Sequence, residues 1–299
     1  MLDFSHIPTR AVNGQQVFIG NNANIGGHGQ VWVKPRGISM VSILMFGQGN
    51  KGAIGAVGAT AAGGLGGGSG AQSSWTGPAW AVPDIMYFTG GDGQTATAIP
   101  TVLACTATPR TTAGAVGDII LWAGGATGST AGPVGTLAGG LLQATGTALF
   151  LAGQAGGAAG AATPSAGGNV AALTTGLLVM GGSGGGGMSA SATAAGGTVT
   201  PSFPAYCTPA LAAAGGSSGV DGKTGQNGVS HLFNPQAPFI FTGGAGGGSG
   251  FPTATTSNGG NGGNGGYGCG GGGGGGAVTG KTAGAAGFGG PGLCIITCW

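Results

Sequence analysis

The stretch NGGNGGNGGYGCGGGGGGG, residues 258–276, decides how the rest of the chain is interpreted. Its first part repeats every three residues, which is the period of an extended left-handed helix with three residues per turn. In such a helix one edge would carry the side chains of the repeat, which are Asn258, Asn261, Asn264 and Tyr267. The glycines would let neighbouring strands approach closely enough to exchange backbone hydrogen bonds. We therefore expect this stretch to pack in a bundle with the other glycine tracts, around residues 63–70, 184–187 and 243–250.

Composition limits the class of protein. Glycine accounts for 78 of the 299 residues, whereas only 4% are charged and glutamate is absent. So much glycine without a collagen period is also typical of flexible linkers, which is the alternative for the glycine tracts. A hydrophobic fraction of 41% and a net charge of +2 favour an ordered fold, because disordered chains combine low hydrophobicity with high charge. The entropy lost by ordering this much glycine must be offset by many backbone hydrogen bonds or by oligomerisation.

Charge and hydropathy argue against two classes of partner. A net charge of +2 gives no electrostatic case for binding nucleic acid. Residues 1–10 lack the basic start and apolar core of a signal peptide. No run reaches the ~18 strongly apolar residues of a membrane span, and residues 141–151 are too few. We expect a soluble protein made in the cytoplasm, with no membrane span.

Short apolar blocks that run into glycine recur along the chain. They lie at residues 43–47, 86–91, 119–125, 149–153, 177–182 and 239–244. Trp122, Leu151 and Met180, near the ends of three successive blocks, are 29 residues apart, and a fixed period indicates a stacked architecture. Apolar blocks this short and bounded by glycine predict buried β-strands. The best candidate for a helix, residues 210–214, is cut off by glycine after little more than one turn.

The two ends of the chain predict strands of a small sheet. The C-terminal run 293–299 is apolar at most positions, as in a strand buried on both faces. Near the N-terminus, apolar runs at 31–33 and 38–46 flank the turn sequence Lys-Pro-Arg-Gly, which predicts a hairpin. We predict an all-β fold, a small β-sandwich or jelly-roll-like sheet formed by the N- and C-terminal strands, with packed polyglycine II-like segments between short apolar strands. Residues 1–25 would be an anchoring or assembly segment and residues 26–299 the glycine-rich β domain.

The order of motifs at the two ends resembles a known family. Trp32 precedes a Pro-x-Gly turn and the hydrophobic strand 41–46, and the chain closes with Gly-Gly-Pro-Gly at 289–292 and a terminal strand. This order resembles the glycine-rich domain of bacteriophage tail and virion proteins, over residues 26–299. Lys34 interrupts the Val-Pro pattern of the family, and the long middle of Ala, Thr and Gly is unusual for it. The resemblance implies a phage appendage or other surface component, commonly involved in host attachment, and supplies no catalytic residues.

Literal matches to catalytic motifs occur without the structural context that they need. G-x-S-x-G is found around Ser183 and Ser217, yet a nucleophile elbow must lead from a strand into a helix. G-x-x-x-x-G-K-T is matched at 275–282, but a phosphate loop must open a helix, and glycine-rich sequence follows. The five cysteines show no zinc-binding spacing. We predict no enzymatic activity, cofactor or metal, and cysteines that act as small buried hydrophobic residues.

Aromatic and polar side chains outside the apolar blocks are the candidates for surface binding. Two tryptophans frame a loop with little charge, and a tyrosine would lie on the exposed edge of the glycine repeat beside three asparagines. Exposed aromatic rings suit stacking on sugars or packing against a partner. For the tryptophans, the alternative is packing in the core or in a trimer interface. The candidates are Trp75, Trp80, Asn258, Asn261, Asn264 and Tyr267.

These features together predict a structural protein of a tailed-bacteriophage virion. It would be an oligomeric tail fibre, spike or other appendage that contributes to host attachment. Its partners would be other virion proteins, further copies of itself, with a trimer as our expectation, and a glycan or protein of the host surface. One alternative is a capsid decoration or head-fibre protein that stabilises the shell. Another is an ice- or polysaccharide-binding module, although the threonines at 95–108 lack the regular spacing of ice-binding rows.

Overall fold

Strands form most of the regular structure. The computed structural model describes residues 14–21, 29–94, 97, 99–107, 118–135, 137, 140–171, 177–200, 216, 221–231, 240–251 and 257–299. In chain order the longer strands are β1 (Gln15–Ile19), β2 (Gln30–Val33), β3 (Met40–Phe46), β4 (Gln72–Pro78), β5 (Ile85–Thr89), β6 (Thr101–Ala104), β7 (Ile119–Ala123) and β8 (Thr147–Leu151). The remaining strands are β9 (Val170–Ala171), β10 (Val199–Thr200), β11 (Ser230–His231), β12 (Ile240–Phe241) and β13 (Leu293–Cys298). A short helix, α1 (Gly140–Thr145), precedes β8. Residues 210–214, the best helix candidate in the sequence, lie outside the described residues.

Two antiparallel sheets pack face to face. One has the strand order β1-β13-β3-β4-β8 and the other β2-β5-β6-β7. The first sheet contributes Phe18, Val41, Ile43, Met45, Trp75, Cys294 and Ile296 to the core between them, and the second contributes Trp32, Met86, Phe88, Leu103 and Leu121. This arrangement confirms the predicted all-β, sandwich-like fold.

The terminal strand β13 occupies an interior position of the first sheet. It pairs with β3 on one side and with β1 on the other, so strands from the two ends of the chain share a sheet as predicted. All but one of its residues are buried, because it has a sheet neighbour on each side and apolar layers above and below. The apolar run 293–298 therefore reflects burial on both faces.

The hairpin predicted for the N-terminal part of the chain is wrong. β2 pairs with β5, whereas β3 pairs with β13 and β4. The turn between them does form, with Gly37 at a φ of 81°, but it carries the chain from one sheet to the other. The physical reason is that β2 and β3 belong to opposite sheets, and each buries one face in the core between those sheets.

The glycine tracts form a bundle of extended strands around one central strand, residues 268–277. Successive N–H groups of this strand donate to three neighbouring segments in turn, and every third residue donates to the same segment. Gly270, Gly273 and Gly276 therefore all bond to the segment 180–186. Its carbonyl groups accept from three further segments with the same three-residue spacing. The six neighbours are residues 50–56, 64–67, 180–186, 244–250, 260–263 and 284–287. A central strand whose hydrogen-bond partners repeat every three residues has the three-residue period of the predicted polyglycine II-like packing.

The sandwich joins the bundle where apolar strands run into glycine. β3, β5, β7 and β8 each end at this boundary, and the chain then enters the bundle. The apolar block at 177–180 has no strand assignment, but Leu177 and Val179 are buried at the junction. Phe46 and Phe241 meet edge to face there, with ring centroids 5.3 Å apart, which joins the two regions through an apolar contact.

The thiols of the described cysteines are free. Cys269, Cys294 and Cys298 are buried, as predicted, whereas Cys105 is exposed. Cys207 lies outside the described residues. Burial raises the pKa of Cys269 to about 12 and that of Cys298 to about 11, because desolvation disfavours the thiolate. Within the described part of the chain, no helix is long and apolar enough to cross a membrane.

Candidate functional site

Among the described residues, the most exposed large aromatic residue lies at one pole of the sandwich. β4 ends at Pro78 and continues into a single 3₁₀ turn, Ala79–Ala81. Ala79 and Ala81 are buried, so the residue between them faces outward, and the side chain of Trp80 is 68% exposed. The bundle lies at the opposite end, because β3 enters it after Phe46, whereas Met40 at the other end of β3 pairs with Pro78.

Backbone hydrogen bonds hold this turn in place. The N–H of Ala79 donates to the carbonyl of Ser39 over 2.8 Å. The N–H of Ser39 in turn donates to the carbonyl of Trp299 over 2.8 Å, which ties the turn to the end of β13. The indole of Trp80 is therefore displayed on a fixed backbone.

Beside Trp80 lies an open groove of about 590 Å³. It runs between the connection from β2 to β3 and the segment from the 3₁₀ turn to β5. Its apolar lining includes Val33, which is 59% exposed, and Ile85. The other lining residues are Lys34, Pro35, Arg36, Gly37, Ile38, Ala79 and Asp84. The groove thus combines one aromatic face with apolar walls and three charged side chains.

The charges of the groove are divided into a pair and a single cation. Nζ of Lys34 lies 2.8 Å from Oδ1 of Asp84, and the N–H of Lys34 donates to the Asp84 carbonyl over 2.8 Å. The Lys34 side chain is only 17% exposed and that of Asp84 is 88% exposed, and the ion pair links the two sides of the groove. Arg36 is exposed and has no ion-pair partner among the described residues. A guanidinium in this position can bind an anion from solution.

Trp75 is not available at the surface, which corrects its place among the candidate binding residues. Its side chain is only 1% exposed, and its Nε1–H donates to the Leu142 carbonyl over 2.9 Å. Trp75 faces inward from β4 into the core between the sheets, where α1 supplies the acceptor for its polar atom. The two tryptophans that frame the loop therefore have different roles.

The asparagines of the glycine repeat lie exposed on one edge of the bundle, as predicted, and their side chains bind the neighbouring strand. Oδ1 of Asn258, Asn261 and Asn264 accepts from backbone N–H groups at residues 282, 285 and 288, over 3.0, 2.9 and 2.9 Å. These side chains satisfy amides at the outer face of the bundle. Tyr267 is half-buried, and its ring meets Phe241 edge to face at 5.9 Å.

The motif matches do not form catalytic arrangements in the described residues. Ser183 is buried, and its Oγ donates to the Gly197 carbonyl over 2.6 Å and accepts from the Gly246 N–H over 2.9 Å. Gly280 and Lys281 form a turn that is not followed by a helix. Ser217 lies outside the described residues. Within the described ranges, no group of His, Cys, Asp and Glu side chains could hold a metal ion.

Comparisons with known proteins do not identify a family. No protein-family model matches the sequence, and a search of curated proteins gave no match.

Sequence reasoning identified Trp80 but not the charged residues beside it. The sequence pattern places Lys34 and Arg36 only in a turn between two strands of one sheet. The signal that could have found them is that two cations stand within a chain that has only seven lysines and arginines.

Proposed function

We propose that the chain is a structural protein of a tailed-bacteriophage virion, in a fibre, spike or similar appendage, and contributes to host attachment. The observation that carries the attachment role is the groove beside Trp80, an aromatic and cationic surface at the pole opposite the glycine bundle. Its placement in a phage rests on the motif order at the two ends of the chain. Exposed aromatic rings set in a rigid frame suit recognition of a surface partner.

The glycine bundle and the sandwich would have different roles in such an appendage. The bundle exposes few groups that titrate and holds its strands by backbone hydrogen bonds, so it suits a rigid spacer. The sandwich ends in the groove. The proposed function is binding without catalysis. The hydroxyl of Ser183, which lies in one of the two nucleophile-like motifs, supports this proposal because it is hydrogen-bonded within the bundle.

We propose that the appendage is a homo-oligomer. Ile54 and Val57 are 72% and 51% exposed, and their three-residue spacing places them on one side of an outer bundle strand. Leu65 is exposed on the adjacent strand, where its carbonyl accepts from the Ala53 N–H over 2.8 Å. Apolar side chains clustered in this way are typical of an interface.

Light scattering after size exclusion tests the oligomer. Replacing both Ile54 and Val57 by Asn should lower the mass to that of the monomer, whereas Ala285→Asn on another outer strand should leave it unchanged. A wild-type protein that is monomeric at high concentration would overturn this part of the proposal.

Immunogold labelling of virions, with an antibody against the purified protein, tests the location. Label on tails or fibres supports the appendage, and label distributed over heads supports the alternative of a shell-stabilising protein. Absence from purified virions overturns both.

Competition of phage adsorption by the purified protein tests attachment. We expect saturating protein to reduce adsorption, and no competition at saturation contradicts the attachment role. Polysaccharide binding by a protein that is absent from virions would favour the second candidate, a free polysaccharide-binding module, which the Trp80 groove also supports.

A further inference from the structure

We infer that the groove beside Trp80 binds a sugar that carries a carboxylate, of the uronic or sialic acid type, on a host-surface polysaccharide. This inference rests on the proposed attachment function and names its ligand class. Three observations carry it: the exposed indole, the apolar walls, and a guanidinium that has no ion-pair partner among the described residues.

The aromatic and apolar surfaces fit the carbon face of a pyranose ring. A sugar presents C–H groups on one face and hydroxyls at its rim, so it stacks on an indole whose other contacts are apolar. Trp80 supplies the indole, and Val33 and Ile85 supply apolar walls. The volume of about 590 Å³ lies within the range of small-ligand sites.

The charges of the groove select an anionic sugar. Lys34 and Arg36 give two positive charges against the single negative charge of Asp84. Asp84 is held by Lys34 at 2.8 Å, which leaves Arg36 for the ligand. A guanidinium binds a carboxylate through two parallel hydrogen bonds, which the uncharged ester of the same sugar does not reproduce.

A folded protein partner fits the groove less well. Stable protein interfaces bury roughly 800 Å² on each side, around a broad apolar centre. Here two short connections bound the site, and one aromatic ring and one unpaired cation provide its anchors. The pattern matches a ligand of one or two sugar rings.

Calorimetric titration of the full-length protein tests the inference. The probes are tetragalacturonate, a hyaluronan tetrasaccharide and sialyllactose, and the matched uncharged probe is methyl-esterified tetragalacturonate. We expect saturable binding of at least one acidic probe. Trp80→Ala should weaken it by about tenfold or more, and Trp80→Tyr should restore part of the affinity. Phe288→Ala, which removes an exposed aromatic ring on the bundle, should not weaken it.

The charge contribution is tested separately. Arg36→Gln should reduce the affinity for the acidic probe toward that for the ester, while Lys223→Gln on the bundle should leave the preference unchanged. Thermal unfolding of each variant checks that the fold is intact. Absence of saturable binding to every acidic probe, or equal binding by wild type and Trp80→Ala, overturns the inference.

The adsorption assay separates this inference from the proposed function. If wild type and Trp80→Ala block adsorption equally well, attachment stands and the groove is not its site. If neither blocks adsorption while wild type binds an acidic sugar, the groove stands as a sugar site and attachment fails.

A second inference comes from the glycine repeat, where each asparagine precedes a glycine. In such a pair the glycine nitrogen can attack the asparagine side-chain carbonyl carbon. A C–N bond forms in a succinimide as ammonia leaves, and water then opens the ring to aspartate or isoaspartate. We infer that the bundle blocks this deamidation at Asn258, Asn261 and Asn264, and that opening of the bundle exposes them to it.

One residue on the neighbouring strand holds both reacting groups of each pair. The N–H of Thr282 donates to Oδ1 of Asn258 over 3.0 Å, and the carbonyl of Thr282 accepts from the Gly259 N–H over 2.9 Å. Ala285 and Phe288 hold the next two pairs in the same way, with the glycine N–H bonds both at 2.8 Å. The neighbouring strand therefore holds both the glycine nitrogen and the asparagine side-chain amide in place, so the nitrogen cannot reach the side-chain carbonyl carbon.

Peptide mapping by mass spectrometry tests this protection. Folded protein and protein unfolded in guanidinium are incubated side by side at mildly alkaline pH. We expect deamidation at the three asparagines to be at least about tenfold slower in the folded chain, because reaction requires local opening. Equal rates in the two samples overturn the inference.

Discussion

The sandwich and the glycine bundle are ordered by different forces. In the sandwich, large side chains such as Trp32, Trp75 and Phe88 fill the space between two sheets. In the bundle, the central strand is buried along its whole length with almost no side chains, and its backbone N–H groups bond to three surrounding segments. Burial of apolar area stabilises the sandwich, whereas hydrogen bonds between closely packed backbones stabilise the bundle.

This difference reverses the usual effect of side-chain size. A sandwich residue made smaller leaves a cavity, whereas a bundle glycine made larger has no space for its new atoms. A Cβ added at Gly273 would overlap the carbonyl oxygen of Gly64, and one added at Gly263 would overlap that of Gln226. These oxygens belong to backbone, which cannot rotate away as a side chain does.

The largest effect is expected from adding a side chain in the bundle. Gly273→Val should lower the free energy of unfolding by roughly 3 kcal/mol or more, since backbone must move to accept it. Gly263→Val should act in the same way. Ala285→Val, on an exposed position, should change it by less than about 0.5 kcal/mol. Urea unfolding measures all three, and a stable Gly273→Val variant would show that the strands do not pack closely.

The matching change in the sandwich is removal of a side chain. Trp75→Ala should lower the free energy of unfolding by about 3–5 kcal/mol, because it leaves a large cavity and the Leu142 carbonyl without its donor. Trp80→Ala provides the control, since that side chain is exposed, and should cost less than about 0.5 kcal/mol. Equal costs for the two tryptophans would contradict the assigned core.

A smaller effect is expected at the asparagine edge. Asn261→Ala removes the acceptor for the Ala285 N–H and should cost about 0.5–1.5 kcal/mol. Asn261→Asp keeps an oxygen in that position and should cost less. Chemical denaturation of both variants tests this order, and the reverse order would show that the side-chain amide N–H groups, rather than Oδ1, stabilise the edge.

The smallest effects concern the thiols. Near pH 8, iodoacetamide should modify Cys105 and leave Cys269 and Cys298 unreacted in the folded chain. The folded pKa values of about 12 and about 11 exceed the ordinary value of 9.0. The free energy of unfolding should therefore fall as pH rises from about 9 to about 12, because only the unfolded chain ionises these thiols in that range. Labelling of Cys269 as fast as Cys105 would contradict its burial.

The class of the fold could be predicted from the sequence because its patterns are local. The triplet period of residues 258–267 and the apolar run 293–298 each depend only on nearby residues. Strand pairing is not local, and the hairpin prediction failed because the turn at 34–37 is compatible with strands in one sheet or in two. Only the shared core, which Trp32 and Ile43 enter from opposite sides, decides between them.

Only part of the candidate site could be predicted from the sequence, because the site also depends on non-local structure. Trp75 and Trp80 have equivalent sequence surroundings, and their roles differ because β4 ends at Pro78. Trp75 lies within the strand and faces the core, whereas Trp80 lies in the turn beyond it. The groove beside Trp80 also needs Asp84 and Arg36, which the fold brings together from two connections.

Hydrogen exchange followed by mass spectrometry tests most directly whether the glycine tract is a packed core. The amides of residues 270–276 should be protected to nearly the same extent as those of β3, because both require a large opening of the molecule before they exchange. Exchange of the 270–276 amides at the rate of an unstructured chain, with β3 still protected, would show that the tract is a linker and would contradict the bundle.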